Sequence, residues 1–330
     1  MELIYPVPFG ISCGSFPGKG LNRTIRKITD KMRKPKRILS VLDPLIGAHT
    51  VEPALARGAF FARETGARLE LFAALNQQAG PIARAEQPPF ESVIPWLKEL
   101  AGPLIRSGLS VSVDALWSRH TYDAIMTKIA ALQPELVIKA TQHDSTLRRT
   151  LFNDTDWHLI RHCSAPLLLA KKECDWQSRR VLACVDPAHP HSSAETLDYE
   201  IIEAAHLLAY QTRGQLHVFH AIEPIARPLT KPEQLYEEHR ELLAGLIRPY
   251  GVSEQRLHIV HGQPTHTLLP VVEQLGADLV VMGAVSKGTL ETLFVGHTAE
   301  KILDDLHCDI LVVKSLPLKI EDTVTSPCPA

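Results

Sequence analysis

Between positions 283 and 298 the chain reads Gly283-Ala-Val-Ser286-Lys287-Gly288, a run of seven residues, then Gly296-His297-Thr298. Residues of these types at this spacing can hold a phosphate. Gly283 ends an apolar β-branched run, where a missing Cβ lets the backbone turn off a strand and a ligand approach closely. Gly288 can supply a positive φ inside the loop. Gly296 and Thr298 open a predicted helix, whose unpaired N–H groups and positive dipole end suit an anion. Lys287 and His297 add donors. Asp186 follows the first strand of the same half and is predicted at the same sheet edge, where its carboxylate can accept a hydrogen bond from a base or ribose. Asp186, Gly283, Ser286, Lys287, Gly288, Gly296, His297 and Thr298 are therefore the candidate cofactor site. The plain alternative is loop geometry with no ligand.

A second, weaker set lies 143 residues earlier. There Ala140, Ser145 and Asn153 stand at the positions of Gly283, Gly288 and Gly296. Side chains with a Cβ disfavour positive φ and hold a phosphate away from the backbone, although Asn153 tolerates a left-handed conformation. A mononucleotide in the same pose is not expected here. Asp43, Lys139, Thr141, His143, Arg148, Arg149, Asn153 and Thr155 remain near this edge. They can form a pocket for a different anion, such as a larger phosphorylated or nucleotide-sugar ligand, or simply a solvated loop. Trp157 in the following helix reads as packing.

Other constellations carry less. Gly10-Ile-Ser12-Cys-Gly14 matches a nucleophile elbow, and the stretch from Gly14 to Gly20 faintly resembles a phosphate loop. Neither has the strand before it and the helix after it that its chemistry needs. His217 and His220 fall on one predicted strand and His258 and His261 on its neighbour, with His189 and His191 in the loop after Asp186. Residues three apart on a strand point to opposite faces, so neither strand pair can chelate as a unit. His220 and His261 can approach each other near the carboxyl ends. Satisfaction of these histidines by solvent or backbone is the bland reading, and a pocket role for His261 beside Gly262 the sharper one. No metal site and no nucleophile–base–orienter triad is expected.

The elements that position these residues come from an internal repeat. Arg37-Ile-Leu-Ser-Val-Leu-Asp-Pro44 matches Arg180-Val-Leu-Ala-Cys-Val-Asp-Pro187, an offset of 143 (180 − 37). The same offset carries Glu135-Leu-Val-Ile-Lys-Ala140 onto Asp278-Leu-Val-Val-Met-Gly283, and Pro166-Leu-Leu-Leu onto Asp309-Ile-Leu-Val. In each copy short apolar runs alternate with amphipathic stretches, the pattern of a parallel sheet with crossover helices. Strands are predicted at 38–42, 69–73, 111–116, 136–140 and 167–170. In the second copy they fall at 181–185, 216–221, 257–260, 279–282 and 310–313, with helices over 194–212, 232–250, 267–275 (ended by Gly276) and 298–306. The expected organisation is a flexible tail over 1–35, a first domain over 36–172 and a linker over 173–179 within the polar stretch that starts at Lys171. A second domain over 180–316 and a flexible tail over 317–330 complete it. Met32 is a candidate natural start.

The chain has 330 residues, 35 basic against 37 acidic, and 45% hydrophobic residues. This near-neutral balance gives no broad footprint for nucleic acid or an anionic membrane. No apolar stretch approaches the ~18 residues of a membrane span. Six cysteines without a C-x-x-C pair read as reduced thiols in the cytoplasm.

An aspartate closing the first strand, with Gly283-x-x-Ser286-x(9)-Gly296-His297-Thr298 after the fourth, resembles the universal stress protein domain. Two positions depart from the ATP-binding pattern: Ser286 replaces the second glycine, and His297 replaces Ser or Thr. Gly296-His-Thr-Ala-Glu300 and Thr155-Asp-Trp-His-Leu-Ile-Arg161 resemble the E-type tandem branch. The resemblance spans about residues 36–315. It implies an α/β fold of two tandem doubly wound five-stranded parallel-sheet domains, which form a pseudo-dimer through their last strands. It further implies a cytoplasmic protein that aids survival under stress, binding ATP or another adenine nucleotide, with Mg²⁺ as a possible companion, and acting as a sensor. Alternatives are a slow Mg-dependent ATP hydrolase using the same loop and a scaffold without ligand.

Overall fold

The computed structural model describes residues 35–44, 53–76, 89–144, 149–171, 180–188, 194–223, 231–284 and 303–314. The first half runs β1 (Arg37–Leu42), α1 (Pro53–Thr65), β2 (Arg68–Asn76), α2 (Phe90–Arg106), β3 (Val111–Ser118), α3 (Thr121–Leu132) and β4 (Leu136–Ala140). A small antiparallel hairpin follows, β5 (Gln142–Asp144) and β6 (Arg149–Leu151), then α4 (Asp154–His162) and β7 (Leu167–Ala170). The second half runs β8 (Arg180–Cys184), α5 (Ala194–Gln211), β9 (Gln215–Ile222), α6 (Pro232–Ile247), β10 (Leu257–His261), α7 (Pro264–Leu275), β11 (Leu279–Ala284) and β12 (Asp309–Lys314).

The near-continuous apolar runs of β1, β4, β7, β11 and β12 are what parallel strands covered on both faces require. They line up in one ten-stranded sheet of order β10-β9-β8-β11-β12-β7-β4-β1-β2-β3. Every pairing is parallel except the central one, where β7 meets β12 antiparallel. Each half is thus a five-stranded doubly wound unit, and the expected pseudo-dimer forms through the last strands. The register makes the symmetry explicit: Leu311 lies opposite Leu168, with Ile310 opposite Leu169 and Val312 opposite Leu167. Leu168 and Leu311 are each other's counterparts under the offset of 143, so a pseudo-two-fold axis passes between them. Two apolar layers sandwich the sheet. One contains Phe61, Leu97, Leu168, Ile201, Leu243 and Leu311. The other contains Ile125, Leu159, Leu169, Val272, Val280 and Ile310. At about 1.5–3 kcal/mol for each fully buried aliphatic side chain, the seam strands contribute heavily to holding the halves together.

The strand predictions hold throughout. The helix expected from Thr267 begins three residues earlier, because Pro264 occupies the first turn, where a missing N–H costs nothing. The helix expected to Tyr250 changes to a 3-10 turn over Arg248–Tyr250, with Pro249 inside it and Gly251 left-handed at φ 63°. Gly276 ends α7 as predicted, at φ 59°. The β5–β6 hairpin was not expected. Residues 303–305 are helical and Leu306 lies just past them; residues 298–302 of the predicted helix, the tails apart from Pro35, and the linker over 173–179 lie outside the described residues. Among the described residues no helix is long and apolar enough to cross a membrane.

Candidate functional site

A doubly wound sheet binds ligands where strand order reverses, outside the carboxyl ends of the strands. In the second half that place lies between β8 and β11, which are hydrogen-bonded neighbours. Asp186 follows β8 there with a largely solvent-facing side chain. Its backbone N–H donates to Asp198 Oδ1 on α5 at 3.0 Å. Burial raises the Asp198 carboxyl to about 6, with the Asp186 N–H opposing and the Asp186 charge adding to that shift. Both carboxylates thus stand at the mouth of the switch point, one exposed and one sunk behind it.

Gly283 lies within β11, paired with Val313, rather than at a turn off it. A Cβ there would stand 2.5 Å from Leu197 Cδ2 and 3.0 Å from Ile201 Cδ1. Its missing side chain admits α5 onto the strand. Ser286, Lys287, Gly288, Gly296, His297 and Thr298 lie outside the described residues.

Of the histidines, His220 contacts a backbone carbonyl, as the bland reading allowed, but the ring-to-ring contacts differ from those expected. β9 is an inner strand, so His217 and His220 are buried rather than satisfied by solvent. On one face, His217 Nδ1 lies 3.1 Å from His258 Nε2. Burial and the neighbouring His258 push His217 down to about 4, so both rings of that pair stay neutral at pH 7. On the other face, His220 meets not His261 but His239 of α6. The register sets His220 opposite Ile259, and His220 Nε2 lies 2.6 Å from His239 Nδ1. His220 Nδ1 donates to Val185 O at 3.0 Å and stands 3.9 Å from Asp186 Oδ1. His261 is 6.2 Å, ring centre to ring centre, from Tyr236. His239 escaped sequence reading, although it sits four residues from both Leu235 and Leu243 on the inward row of α6.

In the first half the equivalent switch point lies between β1 and β4, with Asp43 and Thr141 at its edge. Lys139 Nζ pairs with the fully buried Asp156 at 2.7 Å. Asn153 caps α4 in a reciprocal box with Asp156, at φ −85°. Thr155, in the first turn, is half-buried, and the buried Thr141 donates its N–H to Ala170 O at 3.0 Å. Asn153, which stands at the position of Gly296, is thus tied into local structure. Among the described residues no group of three or more His, Cys, Asp or Glu can hold a metal ion.

Polar groups at the seam were also missed. Arg57 of α1 forms a buried ion pair with Asp309 of β12 at 2.7 Å. Asp309 Oδ1 also accepts the Lys171 N–H at 2.8 Å. Lys171, read from sequence as the polar start of the linker, is buried. Its ammonium donates to Leu303 O and, at 2.7 Å, to Leu306 O, capping the helix of the other half. Burial lowers it to about 8. Lys314, its counterpart at the offset of 143, is likewise lowered to about 8 by burial. A cavity of about 20 Å³ beside the seam, lined by Phe61, Leu168, Leu208 and Leu311 among others, has room for roughly one water.

Two doubly wound α/β domains sharing one sheet, each with an aspartate at its switch point, define the class. A model of the universal stress protein family matches residues 177–314. The chain is 24% identical over 311 residues to universal stress protein E of Escherichia coli K12, covering 87% of this chain and 98% of that protein. It is 28% identical over 239 residues to the universal stress protein E homolog of Haemophilus influenzae, covering 69% and 75%. Among solved structures it is similar to one described as a universal stress protein from Pseudomonas aeruginosa UCBPP-PA14, at 28% identity and TM-score 0.71, covering 86% of this chain and 94% of that one. The fold is also that of a universal stress protein from Archaeoglobus fulgidus, at 16% identity and TM-score 0.63, covering 85% and 99%. Residues 177–314 thus match the universal stress protein family, and over most of its length the chain is similar to universal stress proteins of the E type.

Proposed function

We propose that the second half binds an adenine nucleotide or another phosphorylated ligand at the Asp186 edge, and that the chain acts in the cytoplasm as a ligand-responsive stress protein rather than an enzyme. The observation that carries this is the adjacency of β8 and β11. It brings Asp186 beside the strand whose continuation holds Gly288, Gly296 and Thr298, a sequence suited to a phosphate. The carboxylate would take the base or ribose, and the loop would take the phosphate. The first half offers an anion less, because Lys139 is already neutralised by Asp156 and Asn153 is closed into its capping box.

Native mass spectrometry of freshly purified protein tests the reading. ATP, ADP or AMP carried through purification supports it. If nothing is carried, added nucleotide should still raise the melting temperature, since a ligand at one hundred times its Kd adds about 2.7 kcal/mol. No mass adduct and no thermal shift with any nucleotide would favour a scaffold without ligand.

A further inference from the structure

We infer that the ring pair His217–His258 is an acid-sensitive latch on the sheet edge, which holds β10 against β9 near neutral pH and lets that edge open as pH falls. The device is separate from the ligand site proposed above and uses none of its residues.

The hydrogen count follows from the geometry. β10 is an outermost strand of the ten-stranded sheet and pairs with β9. His217 Nδ1 and His258 Nε2 face each other at 3.1 Å, so one hydrogen lies between them. A neutral pair carries one hydrogen on each ring. With His217 as the donor, its Nε2 is bare and His258 keeps its hydrogen on Nδ1. That assignment suits the surroundings, because His217 Nε2 is buried with no hydrogen-bond partner among the described residues. A third hydrogen changes this. Only one fits between the rings, so both outer nitrogens must then carry one, whichever ring holds the formal charge. His217 Nε2 becomes a buried N–H that nothing accepts. The pair therefore takes up a proton readily only when the rings part and His217 reaches water.

The nearby charges act in the same direction. His217 shares its sheet face with Phe219, which packs in one layer with Leu268, Val271 and Val272 of α7. Arg180 of β8 and Arg256 of the 3-10 turn Glu254–Arg256 both act on His217, and both are cations. Arg180 is held in place by donating to Leu275 O at 2.6 Å, and its backbone N–H donates to Asp278 at 3.2 Å. Glu254 is engaged by Arg240, and His266 and Glu273 of α7 are exposed. Burial, His258 and the two cations bring His217 down to about 4, and burial lowers His258. A histidine lowered in the closed form stabilises that form above its ordinary value of about 6.5 and loses this contribution as pH falls toward the lowered one. Each ring freed to its ordinary value raises the open population about tenfold between about pH 7.5 and about pH 5.5, so the two together give up to about a hundredfold.

The first half supplies a control. The offset of 143 places Ala74 of β2 and Ala115 of β3 at the positions of His217 and His258, so β3, the opposite edge of the sheet, has no such pair.

Hydrogen exchange of the full chain at about pH 5.5 and about pH 7.5 tests the latch, with each amide rate divided by its intrinsic rate to give the opening of β10 and of β3. In the wild type β10 should open about tenfold to a hundredfold more at the lower pH, with β3 nearly level. Replacing the pair by His217→Phe and His258→Gln together should leave β10 nearly level as well. The same acid rise in β10 of both chains, or an equal rise in β3 and β10, overturns the inference. Ring-nitrogen NMR of the wild-type chain reads the latch without any substitution. It should show His217 bare at Nε2 and the pair neutral for as long as β10 stays protected. Titration of either ring at its ordinary value while β10 remains protected would overturn the inference.

Discussion

Glu200 on α5 and Arg57 on α1 occupy equivalent places, 143 residues apart. The pseudo-two-fold that carries one half onto the other carries Asp309, the partner of Arg57, onto Pro166. Proline offers no charge, and Glu200 is left 1% exposed with neither carboxylate oxygen hydrogen-bonded. Burial raises its carboxyl to about 8. A folded value above the unfolded one means the folded state holds its proton more tightly between about 4.5 and 8, so this residue withdraws stability as pH rises through that window. Glu200→Gln should therefore stabilise the protein at pH 8 by roughly 1–3 kcal/mol and have little effect near pH 4. Urea unfolding at the two pH values checks this, and an equal effect at both would show that the carboxyl does not titrate as described. Lys171 and Lys314 repeat the theme at the seam, as buried ammonium groups at equivalent positions.

At the scale of elements, the contact of α5 with β11 gives Gly283 its physical reason. Gly283→Ala would push a methyl against Leu197 and Ile201, and overpacking of this kind costs typically 1–3 kcal/mol. Thermal unfolding should show that loss even without ligand, whereas a glycine kept solely for ligand approach would lose binding and keep its stability. Sequence reading assigned that glycine to the ligand, because spacing along the chain does not show which helix crosses a strand. The ten strands of the large sheet were legible, since buried parallel strands are apolar runs that the repeat displays twice, whereas the short β5–β6 hairpin was not. The His220–His239 contact was not, because it joins a strand to a helix through tertiary packing alone. His239 left only the faint signal of an inward i, i+4 position. Nor did composition distinguish a polar linker residue from Lys171, a cation drawn inward by helix-end carbonyls.

The whole molecule is one sheet whose centre is the domain seam. Its antiparallel β7–β12 pairing replaces the interface that two separate chains would need, so each half is fixed to the other by strand hydrogen bonds and by the Arg57–Asp309 pair. Removing one partner of a buried pair leaves an uncompensated charge and costs about 3–5 kcal/mol. Asp309→Asn should therefore lower the stability of both halves together, read as a shift of the whole denaturation curve rather than of one phase. The tandem arrangement also lets the halves diverge. The first has filled its glycine positions with Ala140, Ser145 and Asn153, and the second retains Gly283, Gly288 and Gly296.

That asymmetry makes the central claim measurable in one experiment: calorimetric titration of ATP into the wild-type chain, Gly296→Asp and Asn153→Asp, the last two being equivalent positions in the two halves. One saturable site in the wild type, lost in Gly296→Asp and kept in Asn153→Asp, is the predicted result. Binding undiminished in Gly296→Asp, or absent from the wild type, would contradict it.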